Sequence, residues 1–466
     1  MKSPFAKRDE ERDVSRRALI KWTVAAGAAL GVSRGKIMDI LERTAGKETA
    51  FQAAESASAR SVHLVAAAGG LSWFTLLFPQ PKIGAANNAN FSYHKPGQGM
   101  TITTTDKPYF IGPDTPFATL SSELQMTGFV CGSANAHVTT PNPDNSVSGL
   151  GTNNLFAFAT ALQSSSPSVI PAIAINGVAI GAAQGSAQAA NVGKSADVTG
   201  LFNSAASRQG GLLYKSKDAA AYGIAYSAFA QLNRAANRST TKIGYTTSIN
   251  AAGLLGTNLA AQLQITDADK TRYGVGTGTP NNVNEIAEGL IVAVKAFRMG
   301  LTNAIVMPAM NDDPHTAFAD GRVNTVPAQL KKIFDAFMGD LTSTTDSVTN
   351  ESLATDTVIT ISGDTTKDAL SHAGGNWADG TTQGCNQVMV YSAGHLKSGW
   401  FGGINTNGSV TGFDPQGNDA TYNATQTAKY ALASIAYAVA KGDERAISPF
   451  ANGLGISGTF GRPKQL

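Results

Sequence analysis

The chain has 466 residues, a charged fraction of 15%, 49 glycines and two cysteines. It is long enough for one large α/β domain with a substantial core and too poor in cysteine for a disulfide scaffold. The net charge of +3 lies entirely within residues 1–21, which hold seven basic and four acidic residues; the remaining 29 of each sign cancel, leaving no electrostatic case for nucleic-acid binding.

The first element is a leader, residues 1–33. In DVSRRALIKWTVAAGAALGVS, a basic segment precedes a short, weakly apolar run, the layout of an export signal and too short for an ordinary membrane span. Ser15-Arg16-Arg17-Ala18-Leu19-Ile20-Lys21 resembles the twin-arginine signal, with Arg16 and Arg17 as its pair. This implies passage through the twin-arginine translocase as a folded chain and a periplasmic or extracellular destination. Residues 34–60 read as a linker or short helix. No later segment is apolar enough to span a membrane, so the mature chain is expected to carry no stable transmembrane span.

From residue 61 to 466 a single domain is expected. SVHLVAAAGG is an apolar run ending in two glycines, the pattern of a buried strand entering a loop, and His63 within it reads as a core or hydrogen-bonded sheet position. Residues 130–210, rich in Ala, Ser, Asn and Gly, read as an insertion or cap over the sheet edge; His137 within them lies in a loop and is a weaker candidate for the site. NEIAEGLIVAVKAFRMG predicts a buried helix with Asn284 as its cap and Gly300 as its stop. A strand at 304–310 follows. In PAQLKKIFDAFMGDL, apolar residues three and four apart predict an amphipathic helix, with Pro327 in its first turn. Strands are expected at 357–361 and 387–391, and a last helix over 423–442. Cys131 and Cys385 are open to one long-range bridge or two buried thiols. Spaced glycines in GVGTGTPN join no strand to a helix and read as a loop, not a nucleotide site.

Strands alternating with helices predict a parallel or mixed sheet covered on both faces. Ligands bind such sheets at the carboxyl ends of the strands. Three loops have that placement: Gly69-Gly70, residues 311–316 and residues 362–368. The second reads NDDPH, so Asp313 and His315, with Asp312 beside them, are candidate metal ligands. The bland alternative is a plain turn in which Asp313 caps a backbone N–H. Asp364, Asp368 and His372 lie in or beside the third loop and are candidates to complete a ligand set, although a surface-loop role suits His372 equally. His395 and Lys397 follow a strand end; Lys397 is a candidate anion contact, against the default of a solvated lysine.

RSVHLVAAAGGLSWFTLLFPQP, TRYG, VAVKAFRMGLTNAIVM, NDDPH, LKKIFDAFMGDL, TVITISGDTTKD, AGGNW and QVMVYSAGHLKSGWFGGINTNG, in this order behind the leader, resemble a twin-arginine-exported bacterial family. It is the domain of unknown function 1501 family, in the alkaline phosphatase/sulfatase-like superfamily. The resemblance covers roughly residues 60–410 in patches. It implies a three-layer α/β sandwich with a mostly parallel central sheet and loop-rich insertions. It also implies phosphate- or sulfate-ester hydrolysis assisted by divalent cations among Asp, His and Glu ligands.

The chain departs from that pattern. The aspartate expected a few residues past Gly-Gly is replaced at Thr75, the expected glutamate stands as Ile361, and only Asn376 precedes Trp377 where Asp-His is expected. No Gly-x-Ser-x-Gly elbow is present and no nucleophile can be named. A cofactor is therefore either one divalent cation (zinc, calcium, magnesium or manganese) or none. Two readings stay open. One is a divergent metal-dependent ester hydrolase using Asp313 and His315 with Asp364 or His372. The other keeps the fold without catalysis, with a degenerate metal site and a binding or structural role in the cell envelope; Thr75, Ile361 and Asn376 favour it.

Overall fold

The computed structural model describes residues 58–86, most of 100–133, His137, most of 155–202 and most of 258–463. The leader with Arg16 and Arg17, the linker as far as residue 57, and His372 lie outside the described residues. The chain divides into two compact units. One comprises residues 1–48, 167–169 and 196–264. Its described part includes two short helices, Val198–Leu201 and Leu259–Leu263, which lie against each other and bury Val198, Leu259 and Leu263. Asn258 caps the second, accepting the Ala261 N–H at 3.1 Å.

The other unit comprises residues 49–166, 170–195 and 265–466. Its strands are β1 (Arg60–Ala66), β2 (Met100–Ile102), β3 (Tyr109–Ile111), β4 (Met126–Cys131), β5 (Ile170–Ile175), β6 (Ala190–Val192), β7 (Thr302–Pro308), β8 (Thr357–Gly363), β9 (Asn386–Ser392), β10 (Gly399–Phe401), β11 (Gly403–Ile404), β12 (Val410–Phe413) and β13 (Asp419–Thr421). Eight of them form a central sheet in the order β10-β4-β9-β8-β1-β7-β5-β6. Its neighbours pair in parallel except at β9, which runs antiparallel to both β4 and β8. All four expected runs are strands of this sheet: β1, β7, β8 and β9. β5 and β6 come from residues 130–210, where an insertion or cap is expected, and form one edge of the sheet, while the helix Leu155–Leu162 of the same stretch packs on its face.

The helices used below are α1 (Ser72–Leu77), α2 (Leu155–Leu162), α3 (Asp267–Tyr273), α4 (Asn281–Arg298), α5 (Val326–Ser343), α6 (Ala424–Val439) and α7 (Glu444–Ala451). α5 buries Leu330, Ile333, Phe334, Phe337, Met338 and Leu341, the stripe its spacing predicts. α6 starts at Asn423, whose side chain accepts the Gln426 N–H at 3.0 Å. α4 begins four residues earlier than expected. Pro280 holds the cap position, and Asn284 lies inside the first turn, donating to the Thr279 carbonyl at 3.1 Å. Gly300 follows the helix with φ +66°, the left-handed conformation a glycine stop supplies.

The core lies on both faces of the sheet. On one face Val65, Ala174, Val306, Val358 and Val390 meet side chains of α2, α6 and α7 in a single cluster. On the other, α4 lies over β7 and packs on α5, which in turn meets α1. Gly289 of α4 lets the Met307 side chain of β7 press against the helix backbone; a Cβ there would fall 2.2 Å from Met307 Cε. Burial of each large apolar side chain contributes about 1.5–3 kcal/mol. Two layers of helix around a mostly parallel sheet explain why its strands read as continuous apolar runs. Cys131 and Cys385 are buried thiols. Burial pushes the Cys131 thiol well above the usual range, and the nearby Cys385 adds to it. Among the described residues no helix is long and apolar enough to cross a membrane.

Candidate functional site

β1, β7 and β8 lie side by side and parallel, so the loops leaving their carboxyl ends share one rim of the sheet. Direct bonds tie them together. Gly69, at φ +81°, donates its N–H to Asp364 Oδ2 at 2.8 Å, joining the loop after β1 to the one after β8. The Trp73 indole donates to the Asp312 carbonyl at 2.9 Å, joining α1 to the loop after β7. Trp377 holds a further segment against that loop: its N–H donates to the His315 carbonyl at 2.7 Å and its indole to the Asp368 carbonyl at 2.8 Å. The buried Asn386 side chain donates to the Gly363 carbonyl at 3.0 Å and also to that of Asp364.

These ties bring five side chains together: His137, Asp313, His315, Lys367 and Asp379. Lys367 is the only one fully buried, at 0% exposure, and its backbone N–H is fixed on Ser72 Oγ at 2.7 Å. Its ammonium lies 2.7 Å from Asp313 Oδ1, is hydrogen-bonded to Asp379 Oδ1, and stands 3.4 Å from His315 Nδ1. His137 Nε2 lies 2.9 Å from Asp379 Oδ1 and 3.6 Å from Asp313 Oδ2. The side chains of His137, Asp313, His315 and Asp379 are 32%, 36%, 42% and 57% exposed, so the cluster opens to solvent on one side. Desolvation works against the Asp379 carboxylate, but the hydrogen bonds from Lys367 and His137 outweigh it and hold its carboxyl below the usual range. Gly69 makes the room: a Cβ there would fall 2.7 Å from His137 Cε1 and 3.3 Å from Asp313 Oδ1.

Of the candidate ligands, Asp313 and His315 stand in the cluster. Asp313 also does what the bland reading asks, accepting the His315 N–H at 3.0 Å, so the turn and the cluster use one carboxylate. Asp312 faces elsewhere, paired with Arg322, whose guanidinium lies over the Trp73 ring. Burial raises its carboxyl above the usual range despite that partner. The buried Asp364 carboxylate serves the Gly69 N–H, and Asp368 Oδ1 accepts the Leu370 N–H at 2.9 Å. Lys397 donates to the Gly458 carbonyl at 2.8 Å, and His395 is buried beside the Arg462 carbonyl at 3.2 Å. His63 is a fully buried sheet residue with Nδ1 2.7 Å from Thr360 Oγ1. Thr75 is buried inside α1 with its hydroxyl donating to the Ser72 carbonyl at 2.7 Å, and Ile361 is a buried residue of β8.

Sequence reasoning missed Lys367 and Asp379. Asp379 stands two residues after Trp377, and nothing in Trp-Ala-Asp-Gly marks it. Lys367 left a faint signal, a lysine four residues beyond a buried strand in a loop already singled out.

The resident-metal expectation meets a mixed result. His137, Asp313 and Asp379 offer three ligand atoms within 4.8 Å of one another, a set suited to zinc or manganese. However, the ammonium of Lys367 already holds one oxygen of each carboxylate. A divalent ion sitting about 2 Å from those two oxygens would compete with it for the same lone pairs and lie under about 5 Å from a like charge. The donors are present, and an ion among them would share both carboxylates with the Lys367 ammonium. Neither a family model nor a curated protein matches this chain.

Proposed function

We propose that this is an exported protein of the alkaline phosphatase/sulfatase-like kind whose metal site is degenerate and whose role in the cell envelope is binding or structural. Arg16 and Arg17 would address it to the twin-arginine translocase, and a periplasmic or extracellular location follows. The observation that carries the reading is the opening loop. Hydrolysis of a phosphate or sulfate ester by a bound cation needs a nucleophile beside the metal and charged ligands from several loops. The loop after β1 contributes a backbone N–H to Asp364, while the Thr75 hydroxyl is engaged inside α1. What the cluster presents to solvent is two imidazoles and two carboxylates around a buried ammonium, a surface suited to hydrogen-bonding a polar ligand. The alternative, a divergent metal-dependent ester hydrolase, draws on the three converging donors His137, Asp313 and Asp379.

Aryl phosphate and aryl sulfate monoesters, assayed with zinc, manganese, magnesium and calcium in turn, separate the two. The expected outcome is turnover no faster than with buffer and metal alone. Turnover that disappears in Asp313→Ala would establish the hydrolase instead.

A further inference from the structure

We infer that Lys367 is the resident cation of this cluster, its ammonium standing where a divalent ion would bridge Asp313 and Asp379, and that removing it uncovers a metal site the natural chain lacks. The inference rests on the degenerate-site reading and adds what keeps the site metal-free.

A lysine with no exposed surface is unusual, since burying an ammonium is costly unless it is paired and hydrogen-bonded. Here the pairing accounts for it. Asp313 Oδ1 lies at 2.7 Å, Asp379 Oδ1 is within hydrogen-bond reach, and His315 Nδ1 is at 3.4 Å. Three N–H donors thus face two carboxylates and an imidazole, the side-chain types that bind zinc and manganese. The backbone is set for this placement, because the Lys367 N–H is anchored on Ser72 Oγ in α1. The substitution of cation has a chemical consequence. An ammonium neutralises charge and holds loops together, but it has no vacant coordination position. It can neither polarise an ester as a Lewis acid nor generate a metal-bound hydroxide. It also needs no loading, so the rim of the sheet is cross-linked as soon as the chain folds.

Truncation to alanine would leave Asp313, Asp379 and His137 facing an emptied space with two uncompensated carboxylates and a three-donor set. The test compares the natural chain, Lys367→Ala, and Lys367→Ala combined with Asp313→Asn. Each is dialysed against Zn²⁺ or Mn²⁺, and bound metal and unfolding temperature are read with and without chelator. Lys367→Ala is expected to take up near-stoichiometric metal and to regain through it the unfolding temperature it loses in chelator. The double variant and the natural chain are expected to take up none. If Lys367→Ala is unfolded in chelator, refolding on addition of metal counts as the same gain. A Lys367→Ala chain that stays metal-free, folded or not, overturns the inference while leaving the degenerate-site reading intact. Metal bound to the natural chain at this cluster overturns both.

Discussion

At the scale of single residues the site depends on one absent side chain as much as on those present. Gly69 combines a left-handed φ of +81° with a packing position in which a Cβ would press on the His137 ring and Asp313. Gly177 has a similar φ of +71° with nothing within 4 Å of the same position, which makes it the matched control. Gly177→Ala carries only backbone strain, about 1 kcal/mol. Gly69→Ala adds a steric clash and is expected to lose about 1–3 kcal/mol more, read by chemical denaturation. Equal losses in the two variants would show that His137 moves aside freely and is not held by the cluster. The loop glycines and the NDDPH aspartate were legible in the sequence because strand-end position and residue type both point to them. Lys367 and Asp379 were not, because a lysine and an aspartate in glycine-rich loops ordinarily face water. Only the fold places them together.

Among the elements, the strands and long helices were readable because each is buried on two faces or along one stripe. α5 shows its stripe at three- and four-residue spacing, and β1, β7, β8 and β9 appear as apolar runs. What failed had weaker periodic signal. β5 is interrupted by Pro171 and β6 is only three residues long, so neither shows the uninterrupted apolar run by which the other strands were read. The cap of α4 was placed at Asn284 because asparagine is a good cap, but Pro280 already sets the turn. His63 shows how one element carries a pH dependence. Burial lowers its pKa from 6.5 to about 3 in the folded chain. Between those values the unfolded chain binds a proton that the folded chain refuses. The stability is therefore complete above pH 6.5 and falls as the pH drops toward 3, by roughly 3–5 kcal/mol in total. Urea denaturation from about pH 4 to pH 7 is expected to show a shallower pH dependence in His63→Leu than in the natural chain. Identical slopes would assign the acid sensitivity to other groups.

On the scale of the whole molecule, a sheet with parallel strands at its centre gathers the ends of β1, β7 and β8 on one rim, and so a cluster forms whether or not it is catalytic. Composition and alternation of elements were sufficient to foresee that architecture. Chemistry was harder to foresee, because it turns on which cation lies between Asp313 and Asp379. The buried ammonium of Lys367 offsets one of the two carboxylate charges and bonds to both, and the account stands or falls on its being the cation there. Metal content of the mature natural protein, purified without chelators, soaked in zinc and manganese and measured by plasma mass spectrometry, tests it most directly. The expected result is a folded protein with no stoichiometric metal. A near-stoichiometric ion that is lost in Asp313→Ala would contradict it and return the cluster to metal-assisted hydrolysis.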